Sequence, residues 1–200
     1  GPDTDKFNQT LQWLALQGNG FVTLECPEYP RLLLQLADPP PVLYVKGRLD
    51  LLQAPAIAMV GSRHPTPQGA QNAEQFAKAL SCAGVSIVSG LALGIDAAAH
   101  IGGLQGHGST IAVVGTGLDR VYPARHHDLA HQIAAQGLIL SEFPLGMPPL
   151  AENFPRRNRI IAALAQAVLV VEAAPESGSL ITARLAAEMG REVMAVPGSI

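Results

Sequence analysis

Arg156, Arg157 and Arg159 stand within four residues, inside the stretch Asn153–Ile161, NFPRRNRII, of a chain that carries 13 Lys+Arg in 200 residues. Charges so crowded repel one another unless an anion sits among them. Guanidinium supplies a rigid fork of donors that suits phosphate oxygens, and a helix start adds exposed amides and partial positive charge. The apolar run Ala167–Val171 that follows reads as a buried strand. In an open α/β sheet the turns at the carboxyl ends of such strands are where ligands bind. Without that context the three arginines would be a solvated helix face, so the remaining turns have to decide.

Those turns are of one kind. Gly61-Ser62-Arg63, Ser89-Gly90, Gly115-Thr116-Gly117 and the segment from Glu172 through Ser177-Gly178-Ser179 each follow an apolar run. Glycine lets backbone amides approach an anion closely, and Ser and Thr hydroxyls add neutral donors. Glycine after a strand also closes ordinary α/β loops, so the weight lies in the set.

The histidines divide into two groups. His126, His127 and His131 lie within one helical turn or so, but beyond Asp128 no further ligand accompanies them, so a surface helix is expected and no metal site. Asp96 and His100, in GIDAAAH, fall on one helix face. They read either as a general-base pair or as a fastening of that helix to Ser89-Gly90. Two enzyme classes lose support. The fingerprint G-x-G-x-x-G is absent after the first long strand, where the chain reads VGSRHPTPQG, and no Gly-Lys-Ser/Thr occurs anywhere. A nicotinamide enzyme and a P-loop ATPase are therefore not expected.

The elements that hold these turns include strands expected at Ile57–Val60, Val85–Ser89, Thr110–Val114, Leu138–Leu140, Ala167–Val171 and Val193–Val196. Helices fit between them at 68–81, 95–104, 125–135, 157–165 and 179–189. AIAMV, TIAVV and AVLVV are apolar at every position, which calls for cover on both faces of a mainly parallel sheet and an α/β fold. Ahead of this alternation, residues 1–54 read as a collar, separate from or part of the core: a helix over 7–16, a strand at 21–24, a brief helix over 29–36 and a strand at 42–45. Residues 55–200 form the core.

Composition sets outer limits. Hydrophobic residues make up 48% of the chain and the net charge is −3, so any polyanion site must be local and not a general basic coat. Cys26 and Cys82, far apart and without metal spacing, read as free thiols of a reducing cytoplasm. No run reaches the roughly 20 apolar residues of a membrane span. Gly1-Pro2 reads as a remnant of protease cleavage, and the chain as a piece of a longer protein.

Taken together, VGSR (60–63), SGLALGIDAAAH (89–100), GTGLDRVYP (115–123), SEFPLG (141–146), NFPRRNRIIA (153–162) and VVEA followed by SGSLITA (170–183) resemble the DNA-processing protein A family, also called Smf. The resemblance runs from about Tyr29 to Ile200. It implies an extended Rossmann-like three-layer αβα domain whose turns form a positive pocket for DNA phosphates. It further implies a cytoplasmic homodimer that binds single-stranded DNA, protects incoming DNA and helps load the RecA recombinase in natural transformation, without catalysis or cofactor. Family members often carry a helical domain before this core and a winged-helix-like domain after it, neither of which is expected to be complete here. The matching site residues are Gly61, Ser62 and Arg63; Ser89 and Gly90; Asn153, Phe154, Arg156, Arg157, Asn158 and Arg159; and Ser177, Gly178 and Ser179.

Phe154 either stacks on a base or staples the helix start onto the sheet. Contacts from Arg63, Arg156, Arg157 and Arg159 would give log affinity against log salt a slope of about −2 to −3. The competing reading is an enzyme resembling the phosphoribohydrolases of the same fold family, which use a PGG-x-GT turn and a catalytic glutamate on nucleoside monophosphates. Glu172 or Glu142 would be that carboxylate, but no PGG-x-GT occurs. A module that binds a free nucleotide without cleaving it stays open.

Overall fold

The structure, a computed structural model, describes residues 1–175 and 177–196. Glu176, inside one of the expected site turns, and residues 197–200, the end of the expected core, lie outside the described residues. One eight-stranded sheet runs through the molecule. In chain order its strands are β1 (Asn19–Thr23), β2 (Val42–Gly47), β3 (Ala56–Gly61), β4 (Ser86–Ser89), β5 (Thr110–Val113), β6 (Leu138–Ser141), β7 (Ala167–Val171) and β8 (Glu192–Val196). Across the sheet they lie in the order β1-β2-β6-β5-β4-β3-β7-β8. β3 to β8 pair in parallel, and β1 and β2 extend the β6 edge antiparallel, so the collar strands belong to the core sheet.

The fold is Rossmann-like, and its layers follow from side-chain alternation. On β3, Ala58 and Val60 face one core while Met59 faces the other; on β7, Val168 and Val170 oppose Leu169 and Val171 in the same way. One face is covered by α5 (Asn153–Leu164) and α6 (Gly178–Glu188). The other takes α2 (Pro67–Cys82), α3 (Ile95–Gly103), α4 (His127–Gln136) and, beside β2, α1 (Pro2–Leu14). Every residue of β4, β5 and β6 is buried, so those sequences are mostly apolar, and the hydroxyls of Ser86, Ser89, Thr110 and Ser141 each donate to a backbone carbonyl.

The topology sets the site. From β3 the chain steps outward through β4, β5 and β6, then returns through α5 to place β7 on the other side of β3. The order reverses between β3 and β7, and at such a switch point the flanking turns separate and leave a crevice at the carboxyl ends. Gly61 is needed there for packing. A methyl group on it would overlap the Val171 carbonyl oxygen and press on Ile95 Cγ1, so β3 meets β7 and α3 only without a Cβ.

Three local expectations shift. The helix expected over 7–16 spans Pro2–Leu14, with Pro2 in its first turn. The helix expected over 29–36 is a 3-10 turn, Arg31–Gln35. The helix expected over 157–165 begins four residues earlier, at Asn153, because Pro155 lies in its first turn, where a missing N–H costs nothing. Arg157 therefore sits in the second turn and gains little from the exposed amides of a helix start.

Candidate nucleic-acid interface

A cleft of about 770 Å³ opens at the switch point. Ten of the fourteen expected site residues line it: Gly61, Ser62, Arg63, Gly90, Phe154, Arg157, Asn158, Ser177, Gly178 and Ser179. Ser89, Asn153, Arg156 and Arg159 do not. Ser89 is fully buried and donates from its hydroxyl to Met59 O at 2.7 Å, joining β4 to β3. Asn153 donates to Gly115 O at 3.0 Å and ties the α5 start to the turn after β5.

Arg156 and Arg159 follow the three-residue spacing of the helix around to another side, where both meet Glu142. Arg159 Nη2 lies 2.8 Å from Glu142 Oε2 and Arg156 Nε 3.3 Å from Oε1. The anion that the crowded arginines require is thus in part a side chain of the protein. The Glu142 side chain is only 5% exposed and that of Arg159 13%, whereas Arg156 stays largely in solvent.

Arg157 points inward. It is buried, donating through Nη1 to Gly90 O and to Val113 O, both at 2.7 Å, and through Nε to Asn158 Oδ1 at 3.1 Å. Burial lowers its pKa to about 10, the nearby Asp96 carboxylate opposing that fall and the like charge of Arg63 adding to it. A guanidinium with that value remains protonated at neutral pH, so the cleft wall carries a fixed positive charge. Gly90 leaves room for it, since a Cβ there would stand 2.8 Å from Arg157 Cζ. Arg63, by contrast, is exposed at the cleft and has no hydrogen-bond or ion-pair partner among the described residues.

The turn after β4 is fastened by side chains of α3. Asp96 Oδ2 accepts from Gly90 N at 3.0 Å and Ala92 N at 3.2 Å, and His100 Nε2 accepts from Leu91 N at 3.1 Å. Three successive amides that look available to an anion in the sequence are already donated. Asp96 and His100 are not hydrogen-bonded to each other; of the two readings the sequence offers, the fastening of the helix is the one built. Leu91, held at φ 57, also receives a hydrogen bond on its carbonyl from His126 Nδ1 at 2.8 Å.

These contacts assign the protons of His100. Nε2 is an acceptor, so Nδ1 carries the hydrogen and donates to Thr110 Oγ1 at 2.7 Å, and Thr110 in turn donates to Ile87 O at 2.6 Å. The ring is neutral, and burial foremost, with His126 and Arg157 adding like charge, lowers its pKa from 6.5 to about 3. The unfolded chain takes up this proton near pH 6.5 and the folded one only near 3. Stability from His100 is therefore complete above pH 6.5 and is lost as pH falls toward 3. At pH 4.5, two units below the ordinary value, the loss should be on the order of a few kcal/mol. Urea titrations from pH 7 to 4.5 should show it, and the same series on His100→Gln should be flatter; equal slopes would refute the assignment. Asp96, whose pKa burial raises, has the opposite dependence, but His100→Gln leaves that contribution in both series.

The floor and rim supply the other surfaces. Phe154 is half-buried over Gly115, its ring 5.7 Å from that of Tyr122 and 5.6 Å from the Arg157 guanidinium. Both readings of Phe154 are accommodated, since one side packs and the rest remains accessible. Tyr122, 48% exposed, has no charge or spacing signal in the sequence and was not foreseen; only its place in GTGLDRVYP marked it. Ser177 precedes the first turn of α6, and its hydroxyl shares a hydrogen with that of Ser179. Asn158 reaches toward Gly178 O at 3.4 Å, joining α5 to α6 across the cleft.

The carboxylates proposed for hydrolysis are elsewhere. Glu172 receives hydrogen bonds from Thr66 N and Thr66 Oγ1 at the start of α2, and Glu142 holds Arg156 and Arg159. Asp96 is the one acidic residue among the described residues lining the cleft.

Comparison with known proteins settles the kinship. Residues 20–200 match the model of the family described as DNA recombination-mediator protein A. The chain belongs to that family. It is 53% identical over 183 residues to protein Smf of Synechocystis sp., covering 90% of this chain and 46% of the relative. It is 51% identical over 172 residues to the DNA processing protein DprA of Streptococcus pneumoniae, with 86% and 61% covered. The chain spans about half the length of the first curated relatives it matches. Among solved structures, the S. pneumoniae protein superposes with a TM-score of 0.88 at 45% identity, covering 97% of this chain and 68% of that one. The DNA processing protein A of Helicobacter pylori, reported for its unique single-stranded DNA binding mode, gives 0.84 at 36% identity, covering 90% and 82%. A molybdenum cofactor binding protein from Rippkaea orientalis, 19% identical with a TM-score of 0.54, shares the fold alone.

Proposed function

We propose that the cleft binds the phosphate backbone of single-stranded DNA and that the protein acts as a non-catalytic DNA-binding component of recombination. The observation that carries this reading is the convergence of Arg63, the buried charge of Arg157 and the Ser177–Ser179 helix start on a cleft floored by Phe154 and Tyr122. Cations neutralise phosphates, and aromatic faces accept any base, which together describe sequence-tolerant binding to a strand whose bases are unpaired. The kinship with a protein reported for single-stranded DNA binding supports the same assignment. Protection of incoming DNA, RecA loading, a homodimer and a cytoplasmic location extend the proposal on the family resemblance.

The test is a titration against single- and double-stranded oligonucleotides of equal length at two salt concentrations. The single strand should bind more tightly, and both affinities should fall with salt. Phe154→Ala should weaken single-strand binding by about 1–3 kcal/mol, the loss of one stacked base. Equal affinity for duplex, or no binding at all, would overturn the reading. Release of base from a nucleoside monophosphate would establish the enzyme in its place.

A further inference from the structure

A second pocket adjoins the cleft on the α4 side of the sheet and shares Leu91, Val114, Thr116 and Tyr122 with it. Its floor is apolar: Leu118, Val121, Ala130, Ala134 and Ile139 complete it. Its polar rim is cationic or neutral. Lys46 rises from β2, Arg120 from the loop after β5 and His131 from α4, and among the described residues no Asp or Glu lines it. Lys46 has no hydrogen-bond or ion-pair partner among the described residues, and Arg120 reaches only Gly146 O, at 3.2 Å. An apolar slot with unpaired cations at its mouth is unusual on a chain of net charge −3. It suits a ligand that is flat and apolar at one end and anionic at the other.

Resting on the reading of the main cleft, we propose that this pocket is a nucleotide subsite, taking one base edge against the apolar floor while Lys46 and Arg120 hold its phosphate. Tyr122 stands between the two pockets and contributes to both linings, so a strand leaving Phe154 passes over Tyr122 and continues toward β2. At about 40 Å³ the second pocket receives the edge of a single base and not a whole stacked pair. The same chemistry would fit a free nucleotide, and the experiment separates the two sources.

Affinities are measured for a short oligothymidylate of about four nucleotides, one of about twelve, and thymidine monophosphate, with the parent, with Lys46→Ala/Arg120→Ala and with Lys46→Glu. The double variant should leave the four-mer unchanged, weaken the twelve-mer about tenfold and reduce its log–log salt slope by about 1.4, two contacts at roughly 0.7 each. Lys46→Glu, which leaves the Arg120 tether to Gly146 in place, should weaken the twelve-mer at least as much. Loss confined to thymidine monophosphate assigns the same subsite to a free nucleotide. An unchanged twelve-mer and monophosphate, or an equal loss for four-mer and twelve-mer, overturns the subsite. Failure of the main-cleft reading looks different: Arg63→Ala would then leave the four-mer unaffected.

Discussion

Replacing Arg157 by alanine is expected to cost about 3–5 kcal/mol of folding stability, the largest loss from any single cleft residue. The guanidinium is buried and donates to two backbone carbonyls on different strand ends, Gly90 O after β4 and Val113 O on β5, besides Asn158. Its removal leaves both carbonyls short of a donor and Asp96 buried without its compensating charge, the situation in which breaking a buried pair is most costly. Arg157→Lys should recover part of the charge but not the fork that spans the two strands. Urea unfolding reads the effect directly. A loss below about 1 kcal/mol would show that the guanidinium does not hold the cleft together. Because it does hold it in this structure, lost DNA binding in an Arg157 variant says nothing about a phosphate contact unless the variant is shown to be folded.

This double role explains where the sequence was readable and where it was not. Nearly unbroken apolar runs announced β3, β5 and β7, because strands buried on both faces admit a polar residue only where it finds a partner, as the Thr110 hydroxyl does on Ile87 O. The convergence of the turns followed from topology alone: parallel strands put their carboxyl ends on one edge, and the return through α5 brings the Ser177–Ser179 turn beside Gly61–Arg63. What spacing did not reveal is the direction of each arginine. Arg159 follows Arg156 by three positions, so both point away from the face that Phe154, Arg157 and Ile161 present to the cleft, and toward a glutamate fourteen and seventeen positions earlier. Charge density in a linear sequence cannot count a partner supplied by another loop. The glycines show the same limit. Gly61 and Gly90 are small to admit Val171 O and the Arg157 guanidinium, not to admit an anion, although all of these requirements select the same residue.

The arrangement of Glu142 changes the salt dependence that the four arginines together would suggest. Of the four arginines only Arg63 and Arg157 line the cleft, so for a strand of about four nucleotides confined to it, two neutralised phosphates at roughly 0.7 counterion each give a slope of log affinity against log salt near −1.4, shallower than −2 to −3. Arg63→Ala should reduce the slope by about 0.7 and weaken every sequence alike, since a phosphate contact carries no base information. Arg159→Ala should leave the slope almost unchanged and lower stability instead, because it strands a carboxylate whose side chain is 5% exposed. Glu142→Gln then separates paired from unpaired arginines. Removing that carboxylate frees Arg156 and leaves Arg159 only its looser pair with the exposed Asp38 at 3.6 Å; in the Lys46→Ala/Arg120→Ala background a strand long enough to reach both should bind with a slope steepening toward about −2.8, four contacts at about 0.7. The titrations belong at a temperature where circular dichroism shows each variant folded, since Gln leaves Arg159 partly desolvated. In the Lys46→Ala/Arg120→Ala background, a slope already near −2.8 and unmoved by Glu142→Gln would mean that Arg156 and Arg159 reach the strand in spite of the carboxylate, and that the cleft is only the middle of a wider contact.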